Sequence, residues 1–120
     1  MPYTMDDPLD LNMQKCVQDC TDCNNTCTRT IAYCLTMGGA HAEASHLKAL
    51  LDCAEASAVS VHFMLRGSSL YPRVCAVCAA ACEQCAQSCE RFPNDPQMKA
   101  CAEVCRRCVE SCREMSGVKA

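Results

Sequence analysis

Cysteine recurs along this sequence in alternating steps of three and four residues, and this spacing constrains the fold more than any other feature. The first series is Met13, Cys16, Cys20, Cys23, Cys27, Thr30, Cys34 and Met37. The next two are Tyr71, Cys75, Cys78, Cys82, Cys85, Cys89, Phe92 and then Met98, Cys101, Cys105, Cys108, Cys112, Met115. Such steps mark the a and d positions of a heptad, the line along a helix that faces its partners. The spacing therefore predicts helices that turn their cysteines toward one another.

A fourth stretch keeps the same spacing but carries a single cysteine. Its series is His46, Leu50, Cys53, Ser57, Ser60 and Met64. A second, apolar series lies beside it, made of Leu47, Leu51, Ala54, Ala58, Val61 and Leu65. We call each cysteine-bearing series the inner line of its helix. All fifteen cysteines fall on the four inner lines, so we expect an interior lined by thiols.

Glycine and proline divide the sequence into four helical stretches within a single domain, residues 1–120. Asp7-Pro8 and Asp95-Pro96 each combine a capping residue with proline at the first helical position. The stretches are expected at about 8–37, 40–66, 70–92 and 96–115. Because the connections are short, neighbouring helices should be antiparallel. The predicted fold is all-α, an up-down-up-down antiparallel four-helix bundle with a cysteine-lined core.

Charge and hydropathy argue against several classes of partner. The net charge of −3 does not indicate the basic surface that binds nucleic acid. The longest uncharged apolar run, residues 74–82, has nine residues, whereas a membrane span needs about 20. The first residues contain neither the basic region nor the apolar region of a secretory signal, so no such signal is visible. We therefore expect a cytoplasmic protein without nucleic-acid or membrane partners.

A short chain so rich in cysteine is commonly a disulfide scaffold from an oxidising compartment. Here the count is odd and the neighbouring residues favour helix, whereas such scaffolds are rich in loops. Residues four apart on a helix have Cβ atoms about 5–6 Å apart, but a disulfide needs about 3.8 Å. Bonds between helices stay open, so a disulfide-stabilised structural protein is one alternative.

Thiolates are soft ligands that select Cu(I), Zn²⁺ or iron–sulfur clusters. The spacing lacks the iron–sulfur motifs and contains no Cys-Pro. Zinc needs four ligands in a tetrahedron, and the second helix offers only Cys53 for layers drawn from all four helices. Zinc sites built from three helices stay open, so a zinc or general thiol-metal buffer is the other alternative. Cu(I) accepts two or three sulfurs, which the following pairs provide: Cys16/Cys20, Cys23/Cys27, Cys78/Cys82, Cys85/Cys89, Cys101/Cys105 and Cys108/Cys112.

Charge sets the expected stoichiometry, because burying uncompensated thiolates is prohibitive. One Cu⁺ per thiolate neutralises the core, so we expect on the order of 15 Cu(I) per chain, with protons released on binding. The candidate ligands are Cys16, Cys20, Cys23, Cys27, Cys34, Cys53, Cys75, Cys78, Cys82, Cys85, Cys89, Cys101, Cys105, Cys108 and Cys112.

Histidines and methionines at the ends of the bundle are candidate end ligands. His46 precedes Cys53 by seven residues and shares its face, whereas His62 should point outward. The candidate end ligands are His46, His41, Met37, Met98 and Met64. Neither a Ser-His-Asp set nor a paired carboxylate site is visible, so we do not expect an enzyme.

The cysteine-bearing segments resemble those of the bacterial copper storage proteins over residues 12–115. They read CVQDCTDC from Cys16, LLDCAE around Cys53, FMLRGS from Phe63, CAVCAAAC from Cys75 and CAEVCRRC from Cys101. The resemblance implies a four-helix bundle that stores many Cu(I) ions, with metal entering at one end. Because no signal sequence is visible, the chain is similar to the cytosolic branch of this family, whose members form homotetramers. The resemblance therefore implies a homotetramer. Ser57 stands where relatives often carry a second cysteine in this helix, which implies a different capacity there.

Overall fold

Four long helices account for most of the computed structural model, which describes residues 8–117. They are α1 (Pro8–Met37), α2 (Ala44–Leu65), α3 (Tyr71–Cys89) and α4 (Pro96–Ser116). A single 3₁₀ turn, Gly39–Ala42, connects α1 to α2. Asp7, the predicted cap of α1, lies outside the described residues. The prediction of an all-α four-helix bundle is confirmed.

Each helix packs against its neighbours in sequence, and α4 packs back against α1. Contacts between the inner lines show that neighbours are antiparallel. Cys34, near the end of α1, contacts His46 at the start of α2. Cys16, near the start of α1, contacts Cys112 near the end of α4. The bundle is therefore an up-down-up-down arrangement, 47 × 26 × 21 Å in extent.

Two helix boundaries differ from the expected ones by more than one residue. Helix α2 begins at Ala44 rather than at 40, because Glu43 is extended (φ −62°, ψ 143°) after the 3₁₀ turn. Helix α3 ends at Cys89 rather than at 92. The amide of Phe92 there bonds the carbonyl three residues back, at Cys89, and the proline that follows disfavours helical geometry at Phe92. Both connections are consequently compact turns that close the same end of the bundle.

The interior consists mainly of sulfur. All fifteen cysteines are 0% exposed, as the heptad spacing predicts. The inner line of α2 is also fully buried, and it includes the hydroxyls of Ser57 and Ser60. The second, apolar line of α2 is only partly covered, with Leu51 52% and Leu65 48% exposed. The thiols therefore occupy the one region of the described fold that excludes water throughout.

Ion pairs on the outer surface join α3 to α4. The guanidinium of Arg106 donates to Glu83 at 2.7 Å and to Glu90 at 2.8 Å. No helix within residues 8–117 is both long enough and apolar enough to cross a membrane. Charged groups thus lie on the outside of the bundle, away from the thiols.

Asp95 connects α1, the 3₁₀ turn and α4 at one end of the bundle. Its Oδ1 accepts hydrogen bonds from the amides of Gln97 and Met98, as an N-cap does. Its Oδ2 accepts the phenol proton of Tyr33 at 2.7 Å and lies 2.9 Å from Nε2 of His41. Asp95 therefore fixes the start of α4 and holds the 3₁₀ turn against it.

Replacing this carboxylate should destabilise the metal-free bundle. We expect Asp95→Ala to lower the free energy of unfolding by about 1–2 kcal/mol, because it removes a helix cap. Denaturant unfolding under anaerobic reducing conditions measures the change. Asp52→Ala, an exposed position within α2, serves as the control and should stay within about 0.5 kcal/mol of the parent. Equal losses in both variants would contradict the role assigned to Asp95.

Candidate metal centre

Fourteen of the fifteen described thiols contact at least one other thiol, and we call these fourteen the thiol column. The shortest contacts join different helices: Sγ of Cys53 lies 3.3 Å from that of Cys23 and 3.3 Å from that of Cys82. Cys105 lies 3.8 Å away on the fourth helix. Cys53, the single cysteine of α2, therefore contacts one thiol from each other helix. This is the one four-helix layer that the sequence allows.

Groups of three or four thiols recur along the column, each with its sulfur atoms within 4.8 Å of one another. The four-thiol groups are Cys20/Cys78/Cys108/Cys112, Cys23/Cys27/Cys53/Cys105 and Cys27/Cys85/Cys101/Cys105. The three-thiol groups are Cys16/Cys75/Cys112 and Cys23/Cys82/Cys108. Several cysteines belong to two groups, so adjacent groups share ligands. The column offers one continuous set of sulfur donors rather than separate sites.

Cysteines four residues apart on one helix also approach closely. Four of the six predicted pairs have sulfurs 3.8–4.0 Å apart, for example Cys23 and Cys27 at 4.0 Å. With metal–sulfur bonds of about 2.3 Å, two thiolates on one ion lie about 3.8 Å apart in a tetrahedron and about 4.0 Å in a triangle. The spacing suits a thiolate-bound metal, and it does not by itself separate copper from zinc. All fifteen described cysteines are free thiols.

The thiols share protons through mutual hydrogen bonds. A bond with Cys105 lowers the pKa of Cys101, and one with Cys108 raises the pKa of Cys82. For Cys75 a hydrogen bond with Cys112 acts downward, but contact with Cys16 and burial raise its pKa to about 12. Burial, reinforced by Cys101 and Asp95, raises the pKa of Cys34 to about 11. Binding of a metal cation to these thiols must therefore displace protons.

Two serines of α2 face the thiol column. The hydroxyl of Ser57 lies 3.6 Å from Sγ of Cys78 and 3.8 Å from Sγ of Cys82. Ser60 is also 0% exposed, and its hydroxyl has no hydrogen-bond partner among the described residues. At these two levels α2 presents a hydroxyl to the column, whereas the other helices present thiols. A hydroxyl is a poorer ligand than a thiolate for a soft metal.

Cys34 stands apart from the thiol column. It is the one cysteine in the described structure without a hydrogen bond to another thiol. Its Sγ lies 3.5 Å from Nε2 of His46 and 3.8 Å from Sδ of Met98. On the inner lines of α1 and α2, the next residues toward the middle of the bundle are Thr30 and Leu50, and both are buried. We call Cys34, His46 and Met98 the end cluster.

His46 is fully buried and both of its ring nitrogens have neighbours. Nδ1 lies 2.6 Å from the hydroxyl of Ser88, and the ring packs 5.1 Å from that of Phe92. Burial, and then the charge of Arg91, lower the pKa of His46, which favours the neutral imidazole. Ser88 is not among the predicted site residues, because it lies off the inner line of α3.

The remaining candidate end ligands lie outside the end cluster. His41 pairs with Asp95, and its ring stacks 4.3 Å from that of Phe92. Met37 is 53% exposed, while Met64 is fully buried on the inner line of α2, at the opposite end of the bundle. The structure therefore brings His46 and Met98 to a thiol, but not His41 or Met37. His62 is exposed, as its position predicts.

Comparison with known proteins finds a family model that matches nearly the whole chain and a relative that matches two thirds of it. The family model described as "Copper storage protein" matches residues 10–117. An uncharacterized cysteine-rich protein of Bacillus subtilis, YhjQ, is 31% identical over 82 residues, which are 68% of this chain and 76% of that protein.

Solved structures are similar over nearly their full length. The protein Nmul_A1745 from Nitrosospira multiformis has a TM-score of 0.85 and 43% identity, covering 92% of this chain and 99% of that one. The Cu(I)-bound copper storage protein BsCsp3 has a TM-score of 0.82 and 30% identity, covering 88% and 98%.

The raised pKa of Cys34 makes a prediction for stability at alkaline pH. The pKa of Cys34 in the folded protein lies above the ordinary value of 9.0. Its contribution to the free energy of unfolding is therefore present below pH 9 and is lost as the pH rises toward about 11. We expect the free energy of unfolding of the metal-free protein to fall across this range. Denaturant unfolding at several pH values measures it. Cys34→Ser lacks the titrating thiol and should lose less; an equal loss would contradict the assignment.

Proposed function

Because this chain belongs to the copper storage protein family, we propose that its interior stores Cu(I), with all fifteen cysteines as ligands. One observation carries the proposal: fifteen free thiols, all 0% exposed, are gathered in one interior. BsCsp3, which binds Cu(I), shares this fold at 30% identity. Thiolates are ligands that Cu(I) prefers. The protein thus holds the metal as cargo.

Charge favours Cu(I) over Zn²⁺ in this interior. A zinc ion bound by four thiolates carries two net negative charges, and burying uncompensated charge is costly. Within the described residues no lysine or arginine is buried, and the buried polar groups are Thr30, His46, Ser57, Ser60 and Ser111. One Cu⁺ for each thiolate leaves no net charge. Full loading then corresponds to about fifteen ions and about fifteen displaced protons.

The end cluster supplies a different donor set. One Cu⁺ with the thiolate of Cys34, the imidazole of His46 and the thioether of Met98 is also neutral. We place one ion there. Met64 is a candidate for a similar role at the opposite end. His41 and Met37 do not contact a thiol in the described structure, so their role as ligands stays a prediction.

The setting of the protein is part of the proposal. Fifteen reduced thiols persist in a reducing compartment, which supports storage in the cytoplasm. The half-exposed Leu51 and Leu65 on the second line of α2 support a homo-oligomer, with the family resemblance suggesting a tetramer. Sedimentation or light scattering tests this state. The role proposed is storage rather than catalysis.

Stoichiometry tests the proposed function directly. Reduced protein is titrated anaerobically with Cu(I) in the presence of bicinchoninate, a coloured Cu(I) chelator, after the free thiols have been counted. We expect the chelator to stay colourless until about fifteen ions are bound per chain, one for each thiol. A chelator that colours from the first addition, or uptake that stops after one or two ions, would refute storage.

Substituting Ser57 tests whether the sulfur set determines capacity. We expect Ser57→Cys to bind about one more Cu(I) than the parent, because its thiol would lie beside Cys78 and Cys82. Ser45→Cys adds a thiol at an exposed position of α2 and is the matched control. In the same titration this control should hold no additional ion against the chelator. Equal capacities for both variants would contradict the interpretation.

A further inference from the structure

The imidazole of His46 is held between a sulfur on one side and a hydroxyl on the other. Nε2 lies 3.5 Å from Sγ of Cys34, in the end cluster. Nδ1 lies 2.6 Å from Oγ of Ser88, on the opposite side of the ring. Ser88 is on α3, whereas Cys34 is on α1, so two helices fix the orientation of one buried ring.

Binding of a cation at Nε2 sets a requirement on the other nitrogen. A neutral imidazole carries one proton, so a free lone pair at Nε2 places that proton on Nδ1. In this buried position the Nδ1–H group needs an acceptor, and Ser88 Oγ is the atom within reach. A hydroxyl can either donate or accept, so Ser88 satisfies Nδ1 in both tautomers of His46.

Arg91 holds the serine from the outside. Its guanidinium donates to Ser88 Oγ at 3.3 Å and to the Ser88 carbonyl at 3.2 Å. A hydroxyl oxygen has two lone pairs, so it can accept from Arg91 and from Nδ1–H of His46 together. The surface arginine, the serine and the histidine thus form a connected series that ends at the cluster.

We propose that Ser88 is a positioning residue for Cu(I) in the end cluster, where it accepts the Nδ1–H of His46 and directs the Nε2 lone pair toward Cys34 and Met98. This inference rests on the proposed function, since it concerns one of the ions stored. Outer hydrogen-bond partners of ligating histidines typically change metal affinity by about 10–100-fold. An alanine at this position would leave Nδ1–H without its partner.

The experiment follows the end cluster alone. Protein labelled with ¹³C at its methionine methyl groups is loaded with Cu(I), and the Met98 signal is followed by NMR as bicinchoninate withdraws the metal. The signal is assigned with Met98→Leu. We expect Ser88→Ala to release this ion at a lower bicinchoninate concentration than the parent does. The difference should correspond to about 10–100-fold weaker Cu(I) binding in the end cluster. Ser88→Thr keeps the hydroxyl and should retain the parent value.

Internal controls separate positioning from a general loosening of the fold. Met64 lies at the opposite end of the bundle, and the response of its methyl signal should be unchanged in Ser88→Ala. The imidazole ¹⁵N shifts of the loaded parent should show a protonated Nδ1 in His46. A Met98 response identical in Ser88→Ala and the parent, or an equal shift at Met64, overturns the proposal.

Two further outcomes distinguish this inference from the proposed function. If the thiols take up copper while Met98 and His46 of the parent do not respond, the end-cluster assignment and the role of Ser88 both fall and storage stands. If the parent takes up no Cu(I) from the chelator, the proposed function itself fails.

Discussion

A thiolate buried without a counter-ion is unstable, and this constraint governs the whole molecule. The fifteen thiols lie where water is excluded, so each must carry either a proton or a metal cation. In the metal-free state burial favours the protonated, neutral form of a thiol, and it raises the pKa of Cys34. The loaded interior is neutral because Cu⁺ replaces the protons. Empty and full states therefore impose the same electrostatic condition on the same fold, and the bundle need not rearrange its charges in order to store metal.

The four helices do not contribute equally to this interior. Helix α2 brings one thiol, Cys53, and otherwise hydroxyl, imidazole or apolar groups. Cys53 nonetheless contacts the three other helices through Cys23, Cys82 and Cys105. Helix α2 thus completes the column at one level and leaves it three-sided near Ser57 and Ser60. Its first inner position, His46, contacts Cys34 in the end cluster, whose mixture of donors differs from the all-sulfur interior.

The sequence was sufficient to predict the fold class and the burial of every cysteine, because a heptad series specifies one face of a helix. It also placed His46 on that face, since residues seven apart share it. It was insufficient for contacts between residues off the inner lines. Ser88 reaches His46 only through the packing of α3 against α2, and His41 is directed to Asp95 by the 3₁₀ turn. Helix ends were less predictable, because the 3₁₀ turn after Met37 and the turn that bonds the Cys89 carbonyl shift them by three to four residues.

The continuity of the thiol column has a consequence for the order in which metal leaves. Because no thiol in it is exposed, an ion at the level of Cys53 reaches solvent by exchange from one sulfur to the next. Neighbouring sulfurs are 3.3–4.0 Å apart, close enough for an ion to bind the second before it leaves the first. Residence time then grows with depth even when all sites bind equally well. The ions nearest the ends of the column therefore exchange with solvent first, and the central ions, which were bound earlier, exchange last.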